Sequence, residues 1–209
     1  MVKRILDLLV SLISLLLLSP FIIIVACIIK LSDRGSVFYR GARVGRYGNS
    51  FKIYKFRSMV INADKIGGSS TADDDPRITA IGRFLRNYKL DELPQFLNVL
   101  IGDMSIVGPR PEMQYYVDLY TEEEKVILGV RPGITDWASL WNADEGAILS
   151  GSDDPDKVYM EEIRPGKLRL QMEYVNKRSL WIDFKIIVQT ISTILRFPPK
   201  NMLSNTKRT

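Results

Sequence analysis

The stretch 15-LLLLSPFIII-24 places a Ser-Pro pair at the middle of the longest uncharged run in the chain, which extends from Leu8 to Ile29. As a straight helix these twenty-two residues would reach ~33 Å, just enough to cross a hydrocarbon core of ~30 Å. Pro20, however, has no N–H for the carbonyl of Leu16, and its ring clashes with that turn. The sequence therefore predicts a kink or break at Ser19-Pro20, with two arms that each reach about half way across.

Basic residues flank this apolar run on both sides. Lys3 and Arg4 precede it, and five basic residues follow within seventeen positions: Lys30, Arg34, Arg40, Arg43 and Arg46. Basic flanks of membrane segments stay in the cytoplasm, so a spanning helix would have to export one of the two clusters. A re-entrant helix-break-helix keeps both clusters on one side. We therefore expect residues 1–34 to form a re-entrant membrane hairpin.

Two other interpretations of the run stay open. A proline-kinked helix could span the membrane, with the Ser19 hydroxyl satisfying the freed carbonyl. The segment Ile24–Cys27 also has the form of a lipoprotein cleavage site behind a signal peptide, although the run is long for such a peptide and continues with apolar residues past the cysteine.

The composition fits one membrane segment and one compact domain, which we expect at residues 35–209. The net charge of +5 suits an anionic membrane surface, a nucleic acid or a phosphorylated substrate. Because no aromatic-basic repeat typical of nucleic-acid modules is present, we do not expect nucleic acid as a partner.

Two absences restrict the chemistry. The chain has no histidine and one cysteine, Cys27, which lies inside the apolar run. A Ser-His-Asp or Cys-His catalytic unit and a Cys/His zinc site are therefore excluded, as is a disulfide framework. Any nucleophile must be Asp, Glu, Lys, Ser, Thr or Tyr. A metal, if used, should be a hard cation held by oxygen, such as Mg²⁺.

Beyond the run, the patterns predict an α+β, mostly helical domain. Short alternating segments at residues 37–39 and 51–56 indicate a small β-hairpin with basic side chains, and residues 62–76 read as a solvated loop. Apolar residues follow helical spacing from Arg77 to Leu100.

A second helical pattern lies near the C-terminal end of the sequence. Its apolar positions are Leu180, Trp181, Phe184, Ile187, Val188, Ile191 and Leu195. The basic pair Lys177-Arg178 lies just before Trp181, which favours an amphipathic helix at the membrane interface. A core helix packed inside the domain is the alternative.

The most informative stretch is 82-GRFLRNYKLDELPQFLNVLIGDMSIVGPRPE-112. Pro94 lies three residues after Asp91, so an N-cap at Asp91 would place the proline in the first helical turn, where its missing N–H has no cost. Asp91 and Glu92 would then lie at a helix N-terminus, either as a cap with a favourable charge or as part of a site.

Basic and rigid segments surround these carboxylates. Arg83, Arg86 and Lys89 present three cations at helical spacing, and arginine forks bind phosphate oxygens. The stretches VGPRPE and VRPGIT hold Arg110 and Arg131 beside Pro and Gly, which fix the backbone. We interpret both as rigid loops that contact substrate, with ordinary turns as the alternative.

Taken together, these stretches closely resemble the bacterial sugar transferases, the monotopic polyprenyl-phosphate phosphoglycosyl transferases. The matching segments are KRILD, LLSP, GSVFYRGARVGRYGNSFKIYKFRSM, the block from DDPRIT to GPRPE around Asp91 and Glu92, VRPGIT and WIDFKII. They cover residues 3 to about 190 in the right order, and the block around Asp91 is the most specific.

The resemblance implies transfer of a sugar-1-phosphate from a UDP-sugar to polyprenyl (undecaprenyl) phosphate with release of UMP, as the first membrane step of surface glycan assembly. It implies Asp91 as the nucleophile, Glu92 as its partner at Mg²⁺, Arg86 and Lys55 as phosphate contacts, and Arg110 at the nucleotide. It also implies the re-entrant hairpin at Ser19-Pro20, membrane lipids as partners and a place on the cytoplasmic face of the inner membrane. A homodimer is left open.

One segment departs from the resemblance. Many relatives continue RPGIT with a G-W-x-x-V-N-G-R-like stretch, whereas this chain reads 136-DWASLWNADEGAILSGSDDPDK-157, with Asp136 at the position of the first glycine. The acidic part, residues 144–157, is expected to be a solvated loop or a substrate contact. The sequence does not identify the sugar that is transferred. Two rival functions remain: a membrane-tethered scaffold that binds anionic lipid, and a Mg²⁺-dependent nucleotide-sugar pyrophosphatase.

Overall fold

A single helix, α1, occupies Val2–Asp33 in the computed structural model of the protein, which describes residues 1–68 and 70–196. By length and composition α1 could cross a membrane. The helix continues through Pro20, so the predicted division into two helical arms is not found in its hydrogen bonding. The reason lies at Ser19, whose hydroxyl donates to the Leu16 carbonyl at 2.8 Å and so serves the acceptor that Pro20 leaves free.

One stripe of α1 faces the rest of the protein near both ends of the helix. The buried residues of the helix, Asp7, Ser11, Val25 and Ile29, recur at helical spacing, while the opposite face exposes large apolar side chains such as Leu16 and Leu17. Near the C-terminal end of α1, Val25 and Ile29 pack with Phe56 and Leu85. The helix is therefore a packing partner of the domain.

The predicted β-hairpin is confirmed. Strand β1 (Phe38–Tyr39) pairs with β4 (Lys55–Phe56), and β2 (Ala42–Val44) pairs with β3 (Ser50–Lys52), both antiparallel. The two ladders continue one antiparallel hairpin without a change of register: Phe38 lies opposite Phe56, and Val44 lies opposite Ser50. The hairpin brings Lys55 toward the centre of the molecule.

The helical pattern from Arg77 to Leu100 becomes two helices, α2 (Ala80–Asn87) and α3 (Gln95–Ile101), separated by a 3₁₀ turn at Leu90–Glu92. The helix breaks because Lys89 adopts a left-handed conformation with φ 56°. The segment predicted as a loop contains a short 3₁₀ turn at Ala63–Lys65.

A small parallel sheet follows α3. Strand β5 (Ser105–Val107) pairs with β6 (Gly133–Thr135), with Ser105 opposite Gly133. The remaining helices are α4 (Gln114–Val117), α5 (Trp137–Trp141), α6 (Glu145–Leu149), α7 (Pro155–Val158), α8 (Arg164–Lys177) and α9 (Leu180–Arg196), with 3₁₀ turns at Arg46–Gly48 and Glu124–Gly129 and a π-helical turn at Tyr159–Ile163. The main core packs β5 against α3, α8 and α9 through Val99, Met104, Tyr174 and Ile186.

Helix α9 separates buried from exposed side chains. Ile186 and Asp183 are buried, whereas most of the predicted apolar stripe is exposed, namely Leu180, Trp181, Phe184, Val188, Ile191 and Leu195. Packing of this stripe inside the domain core is therefore not observed. Residues 197–209 of the predicted domain lie outside the described residues.

Candidate active site

Asp91 and Glu92 lie in the 3₁₀ turn between α2 and α3. The prediction that Asp91 caps the following helix is wrong: the N-cap position of α3 belongs to Pro94, and within the described residues no side chain makes a capping bond there. The left-handed residue Lys89 turns the chain before Asp91, so the two carboxylates face a cleft instead of the end of α3.

Glu92 is held by two cations from distant parts of the chain. Lys55 of β4 donates to its Oε1 at 2.8 Å, and Arg110 donates from Nη1 to Oε2 at 3.1 Å and from Nη2 to Oε1. Burial raises the pKa of Glu92, but the charges and hydrogen bonds of Arg110 and Lys55 outweigh it and hold that pKa well below its usual range. Glu92 is therefore a fixed anion.

Asp91 has different surroundings. Its side chain is 6% exposed, and among the described residues it makes no hydrogen bond or ion pair. Burial and the neighbouring charge of Glu92 raise the pKa of Asp91, although Lys55, Arg86 and Lys89 oppose this shift. A carboxylate that is close to the cleft and bound to no other group is available for chemistry.

The basic face of α2 lines the same cleft. Arg83, Arg86 and Lys89 all border it, and within the described part of the chain the Arg86 guanidinium makes no hydrogen bond. Arg86 is close enough to Asp91 to affect its pKa. The structure thus brings five of the predicted site residues together, namely Lys55, Arg86, Asp91, Glu92 and Arg110.

Arg110 is positioned by residues that sequence reasoning did not assign to the site. Its backbone N–H donates to Asp136 Oδ2 at 3.2 Å, and Gln171 Nε2 of α8 donates to the same oxygen at 3.1 Å. Asp136 also caps α5, accepting from the Ser139 N–H at 2.6 Å. The unusual aspartate after RPGIT was a visible signal, whereas nothing local in the sequence marked Gln171.

The two Gly-Pro-rich loops lie against each other. A Cβ on Gly133 would come within 2.1 Å of the Gly108 nitrogen, so these backbones approach closely enough to require glycine. Arg131 donates to the Gly102 carbonyl at 2.9 Å, at the C-terminal end of α3, and does not border the cleft that contains Asp91. Its predicted role in substrate binding is not favoured by this placement.

A second buried cluster forms another part of the cleft wall. Lys167 lies 2.6 Å from Glu112 Oε1, and the Tyr159 hydroxyl donates to the same oxygen at 2.7 Å. Burial alone would lower the pKa of Lys167, but Glu112 and Tyr159 raise it. Lys167 is thus a charged, paired residue and not a free base.

The cleft has a volume of about 1620 Å³ and two contrasting ends. Asp144 and Glu145 of the acidic segment line one part, so this segment is not wholly a solvated loop. In another direction the cleft reaches Val10 and Ser14 of α1 and residues 187–194 of α9. Charged side chains therefore line one part of the cleft, and residues of α1 and α9 line another.

The carboxylates suit a hard cation. Mg²⁺ is commonly held by one or two carboxylates together with substrate phosphates and water. Asp91 and Glu92 supply two neighbouring carboxylates, although both Glu92 oxygens are bonded to Lys55 and Arg110 in this structure, so a cation would have to displace or share these contacts. Within the described residues no set of three or more His, Cys, Asp or Glu side chains forms a complete metal site. Further ligands would have to come from substrate or water.

A profile of the bacterial sugar transferase family matches residues 1–197. The chain is 38% identical over 197 residues to a UDP-N-acetylgalactosamine-undecaprenyl-phosphate N-acetylgalactosaminephosphotransferase of Aeromonas hydrophila, covering 93% of this chain and 44% of the relative. It is 40% identical to a UDP-glucose:undecaprenyl-phosphate glucose-1-phosphate transferase of Escherichia coli K12, and this match covers 91% of this chain and 39% of the relative. An exopolysaccharide production protein ExoY of Sinorhizobium fredii is 35% identical, with 92% and 84% covered. The chain thus spans less than half of the first two relatives and most of the third.

Proposed function

Because the chain belongs to the bacterial sugar transferase family, we propose that it transfers a sugar-1-phosphate from a UDP-sugar to a polyprenyl phosphate. The names of the Aeromonas and Escherichia relatives describe undecaprenyl-phosphate sugar phosphotransferases, which supports this reaction class. The observation that carries the proposal is the Asp91 carboxylate, which has no partner among the described residues, beside a Glu92 fixed by two cations.

The proposed route has two displacements. An Asp91 oxygen attacks the phosphorus that bears the sugar, a new O–P bond forms, and the bond from that phosphorus to the UMP oxygen breaks. The phosphate of the polyprenyl acceptor then attacks the same phosphorus, releases Asp91 and forms a polyprenyl-diphosphate-sugar. An ionised Asp91 needs no general base, which is consistent with a chain without histidine.

The cations of the cleft counteract the charge repulsion that opposes attack by Asp91. A carboxylate that approaches a diphosphate meets like charge, and preorganised cations lower the cost of charge that develops in the transition state. Arg86 and Lys89 border the cleft near Asp91, and Arg110 and Lys55 neutralise Glu92. We also propose Mg²⁺ at Asp91 and Glu92, where it would neutralise phosphate oxygens.

The two ends of α1 support a re-entrant position in the cytoplasmic leaflet. Lys3 forms an ion pair with Asp183 at 2.6 Å, and at the other end Asp33 pairs with Arg57. A straight spanning helix of this length, ~48 Å, would carry one end across the bilayer and away from the domain. Contacts at both ends are therefore inconsistent with a straight span and support the proposal that both ends stay on one side. Because α1 is continuous through Pro20, the proposed re-entrant position requires a bend of the helix at that residue.

The exposed apolar surfaces of α1 and α9 suit the membrane boundary. Trp181 and Phe184 are exposed on α9 beside the basic residues Lys177 and Arg178, a composition typical of interfacial helices. Since residues of both α1 and α9 line the cleft, an acceptor could place its phosphate near Asp91 and its chain in lipid. A scaffold protein would not need this arrangement.

The first prediction tests the nucleophile. Purified protein given a UDP-sugar and Mg²⁺ without acceptor should release at most about one UMP per enzyme and then stop, because the sugar phosphate stays on Asp91. Asp91→Asn should abolish this burst and lower the rate by roughly 10³ or more, about 4 kcal/mol of barrier. The measurement is UMP release together with the mass of the intact protein.

Asp118→Asn is the matched control, since Asp118 is exposed and bonds Gln114 on the surface. It should keep the burst. Continued UMP release without acceptor would identify a hydrolase instead, and no release until acceptor is added would indicate direct attack by the lipid phosphate. An adduct on another residue would show that the nucleophile assignment is wrong.

A further inference from the structure

The first turns of α1 lie along the free edge of β5. Lys3 Nζ donates to the Val107 carbonyl at 3.0 Å, and Arg4 Nη1 lies 3.4 Å from the Met104 carbonyl. Between these contacts, Asp7 accepts from the Ser105 hydroxyl at 2.8 Å and from the Ile106 N–H at 3.2 Å. Consecutive residues from 104 to 107 thus each bond to this end of α1.

These contacts change the interpretation of the basic N-terminal residues. The sequence suggested that Lys3 and Arg4 serve mainly as a membrane-flanking charge cluster. In the structure Lys3 is also paired with Asp183, which in turn accepts from the Tyr174 hydroxyl at 2.8 Å. Asp7 is 6% exposed and satisfied by β5. The segment is therefore a polar anchor that joins α1, β5, α8 and α9.

Strand β5 leads directly to the active site. Its opposite edge pairs with β6, and only Gly108 and Pro109 separate Val107 from Arg110. Gly108 is packed against the backbone of Gly133, and the ring of Pro109 fixes its own φ and restricts Gly108 before it, so this link has little freedom to absorb a shift of the strand. A displaced β5 would move the Arg110 guanidinium away from Glu92.

We propose that Asp7 is a positioning residue for Arg110, so that the seating of the apolar helix α1 is coupled to the geometry of the catalytic carboxylates. The inference rests on the proposed function, because its test reads out sugar phosphate transfer. Asp7 does not itself border the cleft, so it would act through Ser105, Ile106 and the strand.

A double-mutant cycle tests the coupling. Alone, Asp7→Asn should lower kcat/KM for the UDP-sugar at least about tenfold. Combined with Arg110→Lys, which already disrupts the bidentate pair with Glu92, it should lower the remaining kcat/KM by less than about twofold. Distant residues that share no partner normally have independent effects, so this loss of effect would be specific to a pathway through Arg110.

Asp33→Asn is the matched control, because it breaks an ion pair at the opposite end of the same helix. It should lower kcat/KM by the same factor in both backgrounds. If Asp7→Asn does not fold, Ser105→Ala takes its place, since it removes one bond to the Asp7 carboxylate and leaves the bond from the Ile106 N–H in place. Equal factors for Asp7→Asn, or for Ser105→Ala, with and without Arg110→Lys would overturn the inference. A wild-type protein that releases no UMP from any UDP-sugar would instead contradict the proposed function, and the inference would fall with it.

Discussion

At the scale of single residues, Asp91 and Glu92 are adjacent carboxyl groups whose pKa values are shifted in opposite directions. Glu92 shares its two oxygens between Lys55 and Arg110, so its pKa lies well below the usual range. Asp91 is buried without such a partner, and its pKa is raised. Titratable groups whose surroundings separate their pKa values are typical of catalytic pairs.

The raised pKa of Asp91 predicts a shifted acid limb in the pH profile. Because the nucleophile must be ionised, kcat/KM should fall on acidification at a higher pH than an ordinary aspartate, whose pKa is about 3.9, would require. The charge of Arg86 lowers the pKa of Asp91, so Arg86→Gln should move the limb to still higher pH. Glu92 raises that pKa, so Glu92→Gln should move the limb to lower pH in whatever activity remains.

Arg83→Gln on the same helix is the control for the pH profile. Arg83 is exposed, whereas Arg86 is half-buried and acts on Asp91, so the Arg83 variant should shift the limb less. Shifts of the Arg86 and Glu92 variants in the same direction would contradict the assignment of Asp91 as the titrating group.

At the scale of the helix, α1 is continuous although one of its backbone hydrogen bonds is missing at Pro20. Pro20 cannot donate to Leu16, and Ser19 supplies the missing bond. Both polar ends are bound to the same domain. Replacement of Ser19-Pro20 by Leu-Leu removes the defect and makes the run a better spanning helix.

Topology is therefore expected to depend on this pair. In a Cys27→Ser background, labels at Val2→Cys and Asn49→Cys should both react from the cytoplasmic side only. The Leu-Leu variant should place one label on the opposite side in a measurable fraction of molecules and should lose transferase activity. Ser19→Ala, which keeps Pro20, should retain the wild-type pattern. Opposite-side labelling of the wild-type protein would show that α1 spans the membrane.

At the scale of the whole molecule, α1 completes a core. Phe56 and Leu85 are 1% and 0% exposed, and they pack with Val25 and Ile29 of the helix. Fully burying one such side chain contributes about 1.5–3 kcal/mol, and a typical domain is stable by about 5–15 kcal/mol. The predicted units 1–34 and 35–209 are therefore expected to fold together.

Deletion of residues 1–34 should accordingly abolish cooperative unfolding, measured by near-UV circular dichroism in detergent micelles. Two point variants separate packing from length. Ile29→Ala should lower the free energy of unfolding by about 2–5 kcal/mol, because Ile29 is 1% exposed, whereas Leu17→Ala should change it by less than about 0.5 kcal/mol at 74% exposure. A sharp, wild-type-like transition in the truncated chain would show that the two units are independent.

The sequence by itself determined the features that depend on short-range patterns. The uncharged run, its Ser-Pro defect, the β-hairpin and the carboxylates at Asp91 and Glu92 could all be read from spacing and residue type, and the absence of histidine restricted the chemistry. The mistaken cap at Asp91 shows the limit of such patterns, since the left-handed conformation of Lys89 leaves no periodic signal.

The tertiary structure alone decided which charges meet. Glu92 is paired with Lys55 and Arg110, which lie 37 and 18 positions away, and Arg110 is placed by Asp136 and Gln171. Arg131, whose local sequence resembles that of Arg110, binds the end of α3 instead. The physical reason is that charge pairing depends on distance in space. A parallel pair of strands, and a helix packed against the domain near both of its ends, set those distances only once the chain has folded.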